Sequence, residues 1–153
     1  MSELQRARAA LVTGRLPNGL SYAIWPDARD TIATVQLWVR AGTSDEGPGE
    51  SGIAHMLEHM MFRGSASYPD GAFDEEMERL GASVNAATWL DYTFYTTTVA
   101  VDALDRVFEL EADRFGALAI EPAAFAAERD VVANERRQVV DANPDARLSE
   151  AFH

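Results

Sequence analysis

Both internal histidines of this 153-residue chain fall within one five-residue stretch, together with a glutamate. His55 and His59 are four residues apart, so in a helix their side chains project from one face, with Glu58 on its edge. Two neutral imidazoles on consecutive turns can bind one transition-metal ion, most often zinc, and an adjacent glutamate can take a proton from metal-bound water. The stretch from Ser51 to Phe62 therefore predicts a metal-binding helix. The alternative is an amphipathic helix that displays two histidines at its surface.

A catalytic zinc ion needs a third protein ligand, and the composition narrows that ligand to a carboxylate. The chain contains no cysteine, and its remaining histidine is the terminal His153. The helix predicted from Pro122 to about Asp141 carries Glu128 and Glu135, which are seven residues apart and therefore share one face. Two inward-facing glutamates are unfavourable unless they are paired or metal-bound, whereas a solvated charged face is the ordinary alternative. The histidine cluster favours the metal-bound interpretation and leaves both glutamates open as the ligand.

The order of predicted elements indicates an α+β fold, with helices packed on one face of a mainly antiparallel sheet. A Pro-Asn-Gly turn at residues 17–19 predicts an N-terminal hairpin. Residues 31–39 alternate in polarity, and the purely aliphatic face of that strand is expected to be buried. A second strand pair is predicted at 83–89 and 92–101. Further helices are predicted at 73–80, 104–120 and 122–141, with an N-cap for the histidine helix at Ser51 and a stop at 143–145.

The charge and hydropathy patterns exclude several classes of function. Thirteen basic residues stand against twenty-five acidic ones, and this net charge of −12 offers no basic patch for nucleic acid. No apolar run approaches the ~18 residues of a membrane span, and the N-terminus lacks the apolar core of a secretory signal. We therefore expect a soluble protein that binds no nucleic acid and is cytoplasmic rather than periplasmic.

Several motifs resemble, in order and spacing, those of the inverzincin metallopeptidases of family M16. That family includes pitrilysin, insulin-degrading enzyme and the β subunit of the mitochondrial processing peptidase. The motifs that carry the resemblance are GTSDE (42–46), GIAHMLEHMMFRG (52–64), GASVNAAT (81–88), DYT (91–93), EADR (111–114) and ERDVV (128–132). The resemblance is specific, because these motifs follow one another at family-like spacing over roughly residues 15–148.

The resemblance implies a zinc-dependent endopeptidase that binds one zinc ion per chain. His55, His59 and Glu135 would be the zinc ligands, since the 75 residues between His59 and Glu135 lie within the family's usual interval. Glu58 would be the general base of peptide hydrolysis. Glu128 matches the family's supporting acid, a carboxylate that orients a ligand histidine.

The resemblance also implies a substrate site and a partner. Asn85 and Ala86 match the edge strand to which a substrate peptide adds as an extra β-strand. We expect an N-terminal segment at 1–14 and a zinc-binding domain at 15–153 that is incomplete at its C-terminus. Family members have a homologous half that supplies an arginine and a tyrosine near the scissile carbonyl, so we expect such a half, a C-terminal domain or a second copy as partner. The alternative function is that of a non-catalytic scaffold subunit, or of a fragment that needs a second half for activity.

Overall fold

Residues 10–151 are described by the computed structural model, and the chain divides between residues 31 and 32 into two units. The first unit contains an antiparallel hairpin of strands β1 (Val12–Arg15) and β2 (Ser21–Ile24). Gly19 in its turn has a φ of 94°, a backbone conformation that suits glycine because it lacks a Cβ. The hairpin predicted from the Pro-Asn-Gly sequence is therefore confirmed.

The second unit is built on a three-stranded antiparallel sheet with strand order β3-β5-β4. Its strands are β3 (Ile32–Val39), β4 (Ser83–Thr88) and β5 (Thr93–Ala100). The aliphatic face of β3 alternates with the exposed face as predicted, but Ala33, Val35 and Leu37 are only partly buried instead of fully buried. Val39 is the exception at 37% exposed, because it lies at the end of the strand.

Helices and short turns connect these strands. The helices of the described chain are α1 (Ile53–Met60), α2 (Ala72–Arg79), α3 (Leu104–Gly116), α4 (Pro122–Arg136) and α5 (Pro144–Ala151). Single 3₁₀ turns occupy Thr43–Asp45 and Val101–Ala103, and a π-helical turn at Arg137–Asp141 continues α4. Within residues 10–151, no helix has both the length and the apolar character needed to cross a membrane.

The hydrophobic core lies between the sheet and the helices that cover one of its faces. Helices α1 and α2 contact β4, and α3 contacts β5. The buried core residues are Phe73, Met77, Val99, Val107 and Leu110. Trp38, on the other face of the sheet, is 56% exposed. The predicted α+β fold, with helices packed on one face of an antiparallel sheet, is confirmed.

A buried ion pair is embedded in this core. Arg114 and Glu111 of α3 are 2% and 4% exposed, and the guanidinium donates from Nε and Nη2 to the two carboxylate oxygens. Thr97 of β5 donates a third hydrogen bond to Glu111. The guanidinium carbon lies 4.3–5.6 Å from the centroids of four aromatic rings, those of Phe73, Phe62, Tyr95 and Phe115. The charge is tolerated in the core because it is paired and lies among aromatic faces.

The start of α1 differs from the sequence prediction. The residue that precedes the helix is Gly52, with a φ of 91°, and the predicted N-cap at Ser51 is wrong. The Glu46 carboxylate instead accepts hydrogen bonds from the N–H groups of Gly52 and Ala54, both at 2.9 Å. A longer acidic side chain from the preceding loop thus satisfies the first N–H groups of the helix, where negative charge is favourable.

The end of α3 and the start of α5 also differ from prediction. Helix α3 stops at Gly116, four residues before the predicted end, because Leu118 forms an antiparallel β-bridge with Ser65. Asn143, where the sequence predicts the end of a helix, also precedes the first residue of α5. The Asn143 side-chain oxygen accepts hydrogen bonds from the N–H groups of Asp145 and Ala146, which is N-cap geometry.

Candidate metal centre

The two histidines project from the same face of α1 toward a common point. The Nε2 atoms of His55 and His59 are 3.2 Å apart, and the two rings meet edge to face. Both side chains are partly buried, at 31% and 21% exposed. Met60 on the same helix is only 1% exposed, and Glu46 caps the helix start. These contacts fix both the position and the rotation of α1, and with them the direction of the imidazoles.

Glu135 of α4 approaches the same point from a separate helix. Its Oε2 lies 3.8 Å from His55 Nε2 and 3.6 Å from His59 Nε2. One ligand atom from each of these three residues lies within 4.8 Å of the other two. In a tetrahedral zinc site with bonds of ~2.0–2.1 Å, donor atoms are separated by about 3.3–3.4 Å. The three side chains therefore suit a zinc ion in both spacing and chemistry, and the exposed side of Glu135 leaves room for a further ligand.

Glu128 lies on the same helix as Glu135 but is more deeply buried. It is 3% exposed, and its Oε2 lies 2.9 Å from His59 Nδ1 while its Oε1 accepts a hydrogen bond from Arg63. A carboxylate acceptor at Nδ1 favours the tautomer with hydrogen on Nδ1, which leaves the Nε2 lone pair available to a metal ion. Both glutamates were expected to face inward. Only Glu128 does so, because Glu135 lies at the rim with 47% of its side chain exposed.

Glu58 lies beside the histidines and contacts the sheet. Thr88 at the end of β4 donates a hydrogen bond of 2.5 Å from its hydroxyl to Glu58 Oε2. The pKa of Tyr95 is raised to about 12, chiefly because the Tyr95 hydroxyl is buried and secondly because the negative charge of Glu58 lies nearby. The Glu58 carboxylate thus lies between the metal-binding face of α1 and the helix-facing side of the sheet. Sequence analysis missed Thr88, because a side-chain contact across thirty residues leaves no periodic signal.

Asn85 and Ala86 lie on a free edge of the sheet. In the strand order β3-β5-β4, β4 pairs on one side only among residues 10–151, and α1 packs against this strand. The Ala86 N–H donates to its neighbour's side-chain oxygen, Asn85 Oδ1, at 2.9 Å. This N–H is therefore directed away from the partner strand β5, toward the edge where another strand could pair with it.

Comparison with known proteins agrees with the family that the sequence motifs resemble. Residues 22–153 match the family described as insulinase (peptidase family M16). The chain is 38% identical to the zinc protease PqqE of Helicobacter pylori over 134 residues, which are 87% of this chain and 30% of that protein.

Two solved structures are similar to this chain over nine-tenths of its length or more. A protease from Helicobacter pylori matches with a TM-score of 0.85 at 36% identity, over 90% of this chain and 33% of that one. The periplasmic protease PqqL from Escherichia coli matches with a TM-score of 0.84 at 32% identity, over 93% of this chain and 16% of that one. The chain thus spans no more than a third of the length of these relatives.

Proposed function

This chain belongs to the insulinase family, peptidase family M16, and on that premise we propose that it carries the zinc site of an endopeptidase. The proposed reaction is hydrolysis of a peptide bond within an extended polypeptide segment. Relatives described as zinc proteases support the peptidase role. The observation that carries the proposal is the convergence of His55, His59 and Glu135 beside the carboxylate of Glu58.

The residues that would hold the zinc ion are two imidazoles and one carboxylate. His55 and His59 would bind through Nε2, since Glu128 engages the Nδ1 atom of His59. Glu135 would bind through a carboxylate oxygen from the opposite helix. A bound zinc ion supplies Lewis-acid polarisation of the scissile carbonyl and acidifies a water molecule. Neutral histidines with one carboxylate suit zinc better than calcium or magnesium, which prefer oxygen ligands.

Glu58 would move the proton that hydrolysis requires. Its carboxylate takes a proton from the attacking water and returns it to the nitrogen of the leaving amine. The hydrogen bond from Thr88 occupies Oε2, and Oε1 makes no hydrogen bond to the part of the chain that the structure describes. We assign proton transfer to that oxygen.

The substrate would lie along the free edge of β4. An extended peptide can pair with backbone groups at this edge such as the Ala86 N–H, which donates a hydrogen bond to Asn85 Oδ1. Pairing through the backbone places a peptide next to α1, because β4 and α1 are in contact. Recognition through backbone pairing depends on the extended conformation of the peptide more than on any one of its side chains.

The active enzyme would include more protein than this chain. The chain covers 30% of PqqE and 33% of the solved Helicobacter pylori protease. We propose that a homologous half, a further domain or a second copy closes over the peptide and supplies additional groups at the scissile carbonyl. The peptide and this closing part are the partners that the site requires.

A fluorogenic peptide assay with and without a chelator tests the proposal. It should be carried out on the protein produced from its natural reading frame and on the isolated chain. For the protein produced from its natural reading frame, we expect cleavage that the chelator abolishes and zinc restores, and that Glu58→Gln abolishes without loss of metal. Glu75→Gln, an equivalent change at an exposed position of α2, serves as the control. Undiminished cleavage by the Glu58→Gln protein would refute the assignment.

A further inference from the structure

The side chain of Thr88 links the proposed substrate strand to the proposed base. Thr88 is the last residue of β4, and its hydroxyl lies 2.5 Å from Glu58 Oε2. An ionised carboxylate can only accept hydrogen bonds, so the hydroxyl must be the donor. A hydrogen bond to a charged acceptor is among the stronger ones in proteins. This contact therefore holds Oε2 of Glu58 at the end of β4.

The position of the hydroxyl is itself fixed by strand pairing. Thr88 lies opposite Thr93 in the β4–β5 ladder. The Thr93 hydroxyl lies 3.4 Å from that of Thr88 and donates to the Ala41 carbonyl at 3.0 Å. Thr93 is only 5% exposed, so this side of the ladder is buried.

The turn that follows β4 is also held in place. Thr43 and Ser44 donate backbone hydrogen bonds of 3.0 and 2.7 Å to the carbonyls of Trp89 and Leu90. A Cβ at Gly42 would lie 2.2 Å from the Trp89 carbonyl oxygen, so only glycine allows this close approach. The end of β4 is therefore a rigid point from which Thr88 can orient another group.

We propose that Thr88 is a positioning residue, whose hydroxyl holds the Glu58 carboxylate in the orientation needed to move a proton from the attacking water to the nitrogen of the leaving amine. This inference rests on the proposed peptidase function. Ala86 and Thr88 lie on the same face of β4, because side chains alternate along a strand. The strand that would pair with the peptide thus also orients the base. A substrate held in register on β4 would be held in register with Glu58.

Two substitutions distinguish the contribution of the Thr88 hydroxyl from that of its methyl group. Thr88→Val keeps the shape and removes the donor, and we expect kcat to fall about 10- to 100-fold, as for other residues that orient catalytic groups. KM and zinc content should be unchanged, because neither the edge of β4 nor the zinc ligands are altered. Thr88→Ser restores the donor and should retain most of the wild-type kcat. Thr96→Val on β5 is the matched control, since the Thr96 hydroxyl makes no hydrogen bond within the described residues.

Equal loss of kcat in the valine and serine variants would overturn the inference, and so would loss of zinc in Thr88→Val. Wild-type kcat in Thr88→Val alongside an inactive Glu58→Gln protein would overturn the role of Thr88 alone. Full activity of Glu58→Gln would instead refute the proposed function.

Thermal unfolding gives a measurement that does not depend on activity. If Thr88 acts on Glu58, the decrease in Tm caused by Thr88→Val should disappear in a Glu58→Ala background. The same decrease in both backgrounds would show that the hydroxyl has no energetic coupling to Glu58, and would overturn the inference.

Discussion

Glu128 offers a sharp test of the candidate metal centre, because its two oxygens contact different donors. Oε2 faces His59 Nδ1 at 2.9 Å, and Oε1 accepts a hydrogen bond from Arg63. In Glu128→Gln only one oxygen remains, and the amide NH₂ must face one of these two groups. If the NH₂ faces His59, it favours the tautomer with hydrogen on Nε2, which removes the lone pair needed for the metal. If it faces Arg63, two donors meet in a largely buried site.

The expected loss of zinc affinity in Glu128→Gln follows from the number of zinc ligands that the substitution affects. Glu128 contacts one of the three proposed ligands, so the metal should bind more weakly without being lost. Residues that orient a ligand histidine typically change metal affinity about 10- to 100-fold. This range corresponds to about 1.4–2.7 kcal/mol of binding free energy. Arg63 is 41% exposed and also lies 3.5 Å from Asp70, so it can move aside, and the smaller end of the range is expected.

Competition with a chromophoric chelator measures the zinc dissociation constant of each variant. Asp130→Asn is the matched control, because it removes one negative charge from the same helix at a side chain that is 74% exposed. We expect Asp130→Asn to bind zinc as the wild type does. Equal zinc affinity in Glu128→Gln and the wild type would refute the role of Glu128 in orienting His59.

Three further predictions concern the core, the response to pH and the strand edge. Glu111→Gln leaves the buried Arg114 charge without its counter-charge, so unfolding free energy should fall by about 3–5 kcal/mol and Tm by on the order of 10 °C; a loss below about 1 kcal/mol in thermal melts would contradict this. Because the folded protein raises the pKa of Tyr95 from 10.0 to about 12, stability should be unaffected below pH 10.0 and decline as pH rises toward 12. Tyr95→Phe should remove that decline in chemical-denaturation curves recorded across this range, and an unchanged decline would refute it. Asn85→Ala should speed amide exchange at Ala86, whose N–H loses its acceptor, and an unchanged rate measured by NMR would show that the hydrogen bond does not form in solution.

The parts of the fold that follow a regular period could be predicted from sequence. Alternation in residues 31–39 identified β3, and the Pro-Asn-Gly turn identified the first hairpin. The boundaries that were wrong depend on tertiary contacts. Glu46 caps α1 from six and eight residues away, and the bridge between Ser65 and Leu118 ends α3 early. No local pattern near those helix ends shows such contacts.

The candidate site also has features that local sequence predicts and features that depend on tertiary packing. The spacing of His55 and His59 on one helix predicts that their imidazoles meet, because that contact is local. Helical periodicity places Glu128 and Glu135 on one face but cannot distinguish them. Their separation in depth arises from how α4 packs against α1, which leaves one glutamate buried and the other at the rim. Thr88 is harder still to predict, since its role depends on sheet pairing and helix packing together.

Elemental analysis of the purified protein tests whether His55, His59 and Glu135 together bind one zinc ion. After equilibration with zinc and removal of the excess, we predict one zinc per chain in the wild type and in Glu58→Gln. We predict that His55→Ala and Glu135→Ala lose the metal while retaining a cooperative thermal transition. A full zinc complement in both alanine variants, or none in the wild type, would show that these three residues do not form the zinc site.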